Sequence, residues 1–346
     1  MAEKNDSSHE YSFVKKVWIT GGIFALLAVI LLLIRATFNV FLLILAGTLI
    51  ACYFRGLSSF IAKKTNWNNK LTMAIAVVGS ILLLAGIGWL IGSKVQAQIA
   101  QLSESLPAAF HDAKDYLDQS WLGQQLVEKV EDAKSGGKMA SFFTTFFRTT
   151  FGILGDLYLI LFIGIYFTVS PSLYKKGIIK IVPPRGRDKA KEVLSHLGSG
   201  LQKWLAGKIF AMFVVFVLTS IGLISLGMPM WLALALIAGF LNFVPNFGPL
   251  IAMIPAVLLA LSQDPTMALL VVGLYLLVQL LESNFITPMV QQRLIQIPPA
   301  LIIISQILVG ALTGMWGIVL ATPLVLIVMI VVEDLYTKRM KKQKEQ

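Results

Sequence analysis

Asn-Phe-Val-Pro-Asn-Phe-Gly-Pro, residues 242–249, interrupts an apolar stretch that runs from residue 231 to residue 263. Two prolines and a glycine fall close together in this octapeptide, so it cannot continue as a regular α-helix. Backbone groups that leave a helix at membrane depth must be satisfied by protein or by water. Apolar half-helices that meet at a polar break are a common way for secondary transporters to build a substrate site. The stretch therefore predicts a membrane protein and favours transport.

The composition of the whole chain supports the membrane assignment. Of its 346 residues, 57% are hydrophobic and 14% are charged, whereas a soluble domain carries about 25% charged residues. The net charge of +11 comes from basic clusters beside apolar spans, as the positive-inside rule requires. Since no basic, aromatic-studded module stands apart from the spans, we expect no nucleic-acid partner.

Few residues point to chemistry. The single cysteine, Cys52, forms neither an intrachain disulfide nor a metal site. The three histidines, His9, His111 and His196, lack the spacing of metal ligands, and no glycine-rich phosphate loop is present. We therefore expect no enzyme activity, no bound metal and no cofactor.

Hydropathy and charge together divide the chain. Apolar runs at 17–34 and 36–54 are separated only by Arg35, which predicts a tight hairpin of two spans. In the N-terminal half we predict a cytoplasmic tail at 1–16, three transmembrane helices within 17–92, an extracytoplasmic amphipathic helical segment at 93–140 and a fourth transmembrane helix at 141–170. A basic cytoplasmic segment with an amphipathic interfacial helix follows at 171–208. The C-terminal half consists of a transmembrane core with broken helices at 209–335 and a basic cytoplasmic tail at 336–346.

The predicted fold is an all-α polytopic membrane protein of about eight transmembrane helices, some of them broken or re-entrant in the C-terminal half. The basic loops at 55–70 and 171–208 and the basic tail place both termini in the cytoplasm. The apolar stretch at 231–263 would be about 50 Å long as one helix, against about 30 Å of hydrocarbon. It and the stretch at 300–335 are each either a broken span or a re-entrant hairpin.

The break supplies the first candidate site residues. Asn242 and Asn246 offer amide donors and acceptors, and the backbone carbonyls ahead of Pro245 and Pro249 lose their helical partners. Gly248 completes the break. These groups can coordinate a cation or hydrogen-bond a polar solute. The alternative is a structural kink that neighbouring helices seal.

A second polar cluster follows the next apolar run. Gln279, Glu282 and Asn284 come at its end, and Pro288 then interrupts the helix. Gln279 and Glu282 are three residues apart and share one helix face. Ordinary capping of a helix end is the alternative, but together with the break this cluster favours a shared polar site. Further candidates for the same site are Gln306 and Thr322.

Asp156 lies within the fourth predicted span. Because charged groups inside a membrane are costly, such a residue is a candidate for function. Two interpretations are equally open. Asp156 binds a cation or a proton, or its carboxyl group is neutralised or faces a wet cavity near the membrane edge.

The break, the segment from Glu282 to Pro288 and the basic segment at 171–208 resemble the autoinducer-2 exporter family of bacterial membrane proteins. The resemblance is specific mainly over 185–335. It implies a permease of the bacterial inner membrane, in a family linked to export of autoinducer-2 and to exchange of sodium or lithium for protons. The site residues that the resemblance implies are Asn242, Pro245, Gly248, Pro249, Glu282 and Pro288; Asp156 is not among them.

Three functions remain open. The first is a secondary transporter that exports a small polar solute, for which an autoinducer-2-like signal is one candidate. The second is a Na⁺(Li⁺)/H⁺ antiporter that uses Glu282 or Asp156. The third is a non-transporting membrane scaffold or regulator. The expected partners are the solute, or a monovalent cation and protons, together with the lipid bilayer and further copies of the chain in a homo-oligomer.

Overall fold

The computed structural model describes residues 13–118, 155–291 and 297–337, and these ranges contain helices and short connections but no strand. The predicted N-terminal tail up to residue 12, the segment 119–154 and the C-terminal tail from residue 338 lie outside the described residues. The helices are α1 (Phe13–Thr65), α2 (Asn69–Asp118), α3 (Gly155–Val169), α4 (Pro171–Ile181), α5 (Arg187–Ser225), α6 (Trp231–Leu241), α7 (Phe247–Leu261), α8 (Pro265–Leu281), α9 (Thr287–Gln291), α10 (Pro299–Thr313) and α11 (Met315–Val332).

The predicted hairpin at Arg35 is wrong, because α1 is one continuous helix of 53 residues. Its length is about 80 Å at 1.5 Å per residue. The flanking sequence Ile34-Arg35-Ala36 contains neither glycine nor proline, and arginine and alanine are strong helix formers. A single charge between two apolar runs is therefore insufficient to turn the chain. The expectation of a cytoplasmic N-terminus depended on this hairpin and loses that support.

Helix α2 returns along α1 after a short turn. The Ser58 and Thr72 hydroxyls lie 3.0 Å apart, and those of Tyr53 and Ser80 lie 3.1 Å apart. From the first contact to the second, the residue number falls along α1 and rises along α2, so the two helices are antiparallel. α2 then continues past Gly92 into the segment that we predicted as a separate extracytoplasmic helix, up to Asp118.

The first turn of α6 is capped by α2. The side-chain carbonyl oxygen of Gln98 accepts hydrogen bonds from the backbone N–H groups of Leu232 and Ala233, both at 3.1 Å. These are groups that an α-helix leaves without intrahelical partners. Helix α2 therefore positions the start of the segment that leads to the break.

Helix α3 covers the described part of the fourth predicted span. It bends by 89° into α4 at Ser170-Pro171, where the proline cannot donate a backbone hydrogen bond. Helix α4 carries the first basic residues of the predicted cytoplasmic segment, and a short 3₁₀ turn at Pro184–Gly186 leads to α5.

Helix α5 contains both the amphipathic segment and the start of the predicted C-terminal transmembrane core at residue 209 without a break, 39 residues in all. We expected its apolar side at 193–205 to lie on lipid. Instead, Leu201, Trp204 and Leu205 are buried in a hydrophobic cluster with α1, α10 and α11. Further along, Val215 and Leu223 belong to a second cluster, formed with α2, α6, α7 and α8. Helix α5 is thus the element shared by both hydrophobic cores.

Residues 231–263 form a re-entrant hairpin of α6 and α7. Gly239 packs so closely on α5 that an added Cβ would lie 3.0 Å from the carbonyl oxygen of Met212, so α6 runs back along α5. Helix α8 also runs antiparallel to α5, because Gly222 meets Leu274 and Lys208 meets Glu282. Only three residues separate α7 from α8. The start of α6 and the end of α7 therefore both lie near the C-terminal end of α5.

Residues 300–335 contain a second hairpin, made of α10 and α11. Gly314 joins the two helices with φ of 68°, a left-handed conformation that favours glycine. An added Cβ on Gly310 would lie 2.6 Å from the Ile318 side chain. Residues eight apart are about 12 Å apart along one helix, so this contact requires antiparallel helices.

The fold class is confirmed: the chain is an all-α polytopic membrane protein. Within the described ranges, five helices are long and apolar enough to cross a membrane, or six if α3 and α4 form one bent span. The predicted number of about eight spans is not confirmed. Part of the difference comes from α1, which is one helix where two spans were predicted. Another part comes from the α6–α7 hairpin, because both of its arms are shorter apolar helices, whereas α11 of the second hairpin is one of the five.

Candidate functional site

The tip of the α6–α7 hairpin reaches the middle of α5. Phe243 packs edge-on against Trp204 of α5, with ring centroids 5.8 Å apart. Asn246 has φ of 66° and ψ of −58°, and the Phe247 N–H donates to the Pro245 carbonyl oxygen at 2.8 Å, so the chain makes a tight γ-turn here. Gly248 leaves no room for a side chain, since an added Cβ would collide with the carbonyl oxygen of Leu241. The glycine of the octapeptide therefore allows the two half-helices to approach.

The second hairpin holds this tip in place. The side-chain amide of Gln306 in α10 donates a 3.0 Å hydrogen bond to the carbonyl oxygen of Pro245. Gln306 is fully buried, and its own carbonyl oxygen has no hydrogen-bond partner among the described residues. This neutral hydrogen bond joins the tip of the α6–α7 hairpin to α10 of the second hairpin.

A cavity of about 210 Å³ lies beside the hairpin tip. Its wall combines apolar groups with two charges and several amides and hydroxyls. The residues that line it are Trp204, Gly207, Lys208, Ala211, Pro245, Asn246, Gln279, Glu282, Ser283, Thr287, Ile297, Pro299, Ile302 and Thr322.

Glu282 is the negative charge of the cavity. One carboxylate oxygen, Oε1, accepts a 3.0 Å hydrogen bond from the Thr287 hydroxyl, and the other, Oε2, accepts from the Gln279 amide at 3.4 Å. Glu282 begins a π-helical turn, Glu282–Ile286, a local distortion often found at functional sites. The widened turn brings Thr287, five residues later, back to the carboxylate.

Lys208 of α5 is the positive charge, and the sequence analysis missed it as a site residue. Its ammonium nitrogen lies 3.9 Å from Glu282 Oε1, and the two side chains are only 10% and 9% exposed. Lys208 is the last residue of the segment 171–208, which the sequence predicts to be basic and cytoplasmic. No local signal distinguishes it, because a lysine directly before an apolar run is the ordinary pattern at the cytoplasmic end of a span.

Several buried polar atoms around the cavity lack partners within the described ranges. They include the Thr322 hydroxyl and the side-chain amide nitrogen of Asn242. A buried polar group without a hydrogen bond is uncommon and calls for a specific explanation, such as bound water or ligand. Thr322 lines the cavity and Asn242 lies at the hairpin tip.

The structure brings four of the candidate site residues together at the cavity: Pro245, Asn246, Gln279 and Glu282. The two further candidates also reach this region, since Thr322 lines the cavity and Gln306 binds the hairpin tip. Asn242, Gly248 and Pro249 belong to the hairpin that supports it rather than to its wall.

Asn284 and Pro288 do not line the cavity. Both are exposed, and the Asn284 amide donates to the Leu280 carbonyl oxygen on its own helix at 2.9 Å. A regular helix advances about 100° per residue, so it already places Asn284 about 200° and Pro288 about 240° around the axis from Glu282. Helix periodicity alone therefore argues against these two residues as partners of Glu282.

Asp156 lies at a separate place. Its carboxylate accepts a 2.6 Å hydrogen bond from the indole N–H of Trp316, in the first turn of α11. Negative charge at a helix N-terminus is favourable. This contact accounts for Asp156 as a link between α3 and α11, and the residue is absent from the cavity wall.

One group of potential metal ligands occurs in the described part of the chain. Glu192 and His196 of α5 place ligand atoms within 4.8 Å of one another and of Asp334, which follows α11. The sequence did not indicate this group, because 138 residues separate His196 from Asp334. The His196 Nδ1 atom lies 2.6 Å from Asp334 Oδ2, and this short hydrogen bond explains the group as a contact between the two helices.

Comparison with known proteins agrees with the membrane architecture. The chain is 28% identical to a Bacillus subtilis protein with the provisional name transport protein YrrI, over 73% of this chain and 75% of the relative. It is 28% identical to a protein provisionally named permease PerM of Escherichia coli K12, over 49% of this chain and 48% of the relative. It is also 35% identical to the AI-2 transport protein TqsA of Escherichia coli K12, over 29% of each chain.

The family model of the AI-2E family transporter matches residues 23–337, a range that includes both hairpins and the cavity between them. The resemblance seen in the sequence is thereby confirmed over nearly the whole chain, and the protein belongs to the AI-2E family of membrane transporters.

Proposed function

We propose that this chain is a secondary transporter that exports a small polar solute across the bacterial inner membrane through the cavity at the tip of the α6–α7 hairpin. The observation that carries the proposal is the meeting of a re-entrant hairpin with the buried Lys208–Glu282 pair at that cavity. Charged groups inside a membrane are costly and mark solute or ion pathways. We place the C-terminus in the cytoplasm, because the tail beyond residue 337 is strongly basic, as the positive-inside rule requires of cytoplasmic segments.

The lining of the cavity suits a polar solute. It offers the hydroxyls of Thr287 and Thr322 and the amides of Asn246 and Gln279, beside apolar contacts from residues such as Trp204. A mostly apolar pocket with a few placed polar groups is typical of small-molecule sites. An autoinducer-2-like signal is one candidate solute, since a relative is named for AI-2 transport.

A Na⁺(Li⁺)/H⁺ antiporter is the second candidate function. The buried Glu282 carboxylate supports it, because such a group can exchange a proton for a monovalent cation. Against it, the Lys208 ammonium group lies 3.9 Å from the carboxylate, so a cation that reaches Glu282 meets a like charge. A non-transporting scaffold ranks last, since a scaffold has no use for a buried charge pair beside a cavity.

Everted membrane vesicles separate the functions. The assay follows proton movement on addition of Na⁺ or Li⁺, and in parallel the uptake of a labelled solute, because the cytoplasmic face of an everted vesicle points outward and an exporter fills its interior. The exporter predicts solute flux that is indifferent to Na⁺ and is lost in Glu282→Gln, whereas the exposed-site control Glu192→Gln retains it. Cation-driven proton movement that disappears in Glu282→Gln favours the antiporter instead. Equal flux from wild type, Glu282→Gln and protein-free membranes would refute transport through this cavity.

A further inference from the structure

Lys208 has unused hydrogen-bonding capacity inside the protein. Its ammonium group carries three N–H donors, but the nearest carboxylate oxygen is 3.9 Å away, beyond hydrogen-bond distance. No other hydrogen bond from this group is formed within residues 13–118, 155–291 and 297–337. A buried ammonium that binds nothing is strongly unfavourable, so these donors point to an acceptor that enters the cavity.

Glu282 has complementary capacity on the same wall. Its two hydrogen bonds come from neutral donors, the Thr287 hydroxyl and the Gln279 amide. An ionised carboxylate accepts about four hydrogen bonds, so acceptor positions remain open toward the cavity. The wall therefore presents a cation and an anion side by side, and neither one has a charged hydrogen-bond partner.

We propose, building on the transport function proposed above, that the solute is a zwitterion with an ammonium group next to a carboxylate, as in an α-amino acid. Its carboxylate accepts hydrogen bonds from Lys208, and its ammonium group donates to Glu282. The 3.9 Å separation of the two protein charges suits two groups that are bonded to the same solute carbon. Charge-assisted hydrogen bonds are about twice as strong as neutral ones.

Other solute classes satisfy this wall less well. A neutral polyol offers only dipoles to both charges. An anion engages Lys208 but is repelled by Glu282, and a cation has the opposite difficulty. Lys208 and Glu282 already balance each other's charge. Of the four classes, only a zwitterion adds an opposite charge beside each of them while the site stays neutral, which matters where solvent screening is weak.

An isosteric set of probes tests the class directly. Serine, glycerate, serinol and glycerol share a three-carbon skeleton and represent a zwitterion, an anion, a cation and a neutral polyol. Glycine and leucine extend the zwitterions to smaller and larger sizes. Binding is measured as ligand-induced thermal stabilisation of the purified full-length protein in detergent, and transport as counterflow in proteoliposomes. We expect at least one zwitterion to bind about tenfold or more tightly than glycerate, serinol and glycerol.

Variants connect binding to the two charges. The double variant Lys208→Met/Glu282→Gln keeps the site neutral, so it should fold, and it should lose zwitterion binding by about tenfold or more. Lys208→Arg preserves the positive charge and should retain part of the binding. Lys203→Met, on the exposed side of the same helix, is the matched control and should bind as wild type does.

The outcomes separate this inference from transport itself. Equal or tighter binding of glycerol or glycerate than of all three zwitterions would overturn the zwitterion class, and flux of those probes would leave the transport function standing. Selective binding of a zwitterion without counterflow would support the class while refuting transport. Absence of any zwitterion binding, or binding that the double variant retains, overturns the inference.

Discussion

Removing one charge of the Lys208–Glu282 pair should destabilise the protein far more than removing both. At 3.9 Å and an effective dielectric constant of about 20, Coulomb's law gives an attraction of about 4 kcal/mol. Little solvent screening reduces it, because the side chains are 10% and 9% exposed. Lys208→Met and Glu282→Gln should therefore each cost about 3–5 kcal/mol, since each leaves a buried charge without its counter-charge.

The double variant Lys208→Met/Glu282→Gln leaves no unpaired charge. Replacing a buried ion pair by neutral groups is often close to neutral, so the double variant should be more stable than either single one. The coupling energy between the two positions should be about 3 kcal/mol. A double-mutant cycle measures it, with free energies of unfolding taken from SDS titrations in mixed micelles and followed by helical circular dichroism.

Lys203→Met supplies the control for loss of a positive charge on α5. Lys203 is exposed, and its substitution should change the free energy of unfolding by no more than about 0.5 kcal/mol. The reasoning is refuted if the effects of the two single substitutions add to within about 0.5 kcal/mol in the double variant. That result would mean that the two charges do not interact in the folded protein.

Three other substitutions test separate parts of the fold. Gly248→Ala should destabilise the protein by about 1–3 kcal/mol through overpacking against the Leu241 carbonyl. Gly79→Ala is the control and should not destabilise the protein, because an added Cβ there meets nothing within 4 Å. Denaturant titration measures the free energy of unfolding of both variants. Gln98→Ala should cost about 1 kcal/mol in the same titration, as loss of a helix cap does. Asp156→Asn should retain vesicle flux, and loss of flux would return Asp156 to the transport pathway.

The polar break shows how much of the site the sequence contains. Pro245, Asn246 and Glu282 were identifiable because proline and polar groups are conspicuous inside apolar stretches. Their meeting at one cavity was expected from chemistry alone and is found in the structure. The choice between a broken span and a re-entrant hairpin was not available, since it depends on contacts such as that of Gly239 with α5.

Lys208 and Arg35 show why the remainder was missed. A lysine at the end of a basic segment resembles its solvated neighbours, and only the docking of α8 makes it a buried partner of Glu282. Arg35 interrupts the apolar run but not the helix propensity, so hydropathy predicts two helices where the backbone forms one, α1. Tertiary packing decides whether Lys208 is buried, and backbone geometry decides whether the helix continues past Arg35. Local composition reveals neither of them.

The continuity of α5 limits how the cavity can open. The helix passes through both hydrophobic clusters with Lys208 between them, and no proline interrupts it. The clusters therefore cannot separate along this axis unless the helix breaks its own backbone hydrogen bonds. The hairpins, in contrast, are joined at Pro245 by one neutral hydrogen bond, of net worth about 1 kcal/mol. In mechanical terms α5 is a fixed axis on which both hairpins stay packed, and the joint between the two hairpins at Pro245 is a weak contact beside the cavity.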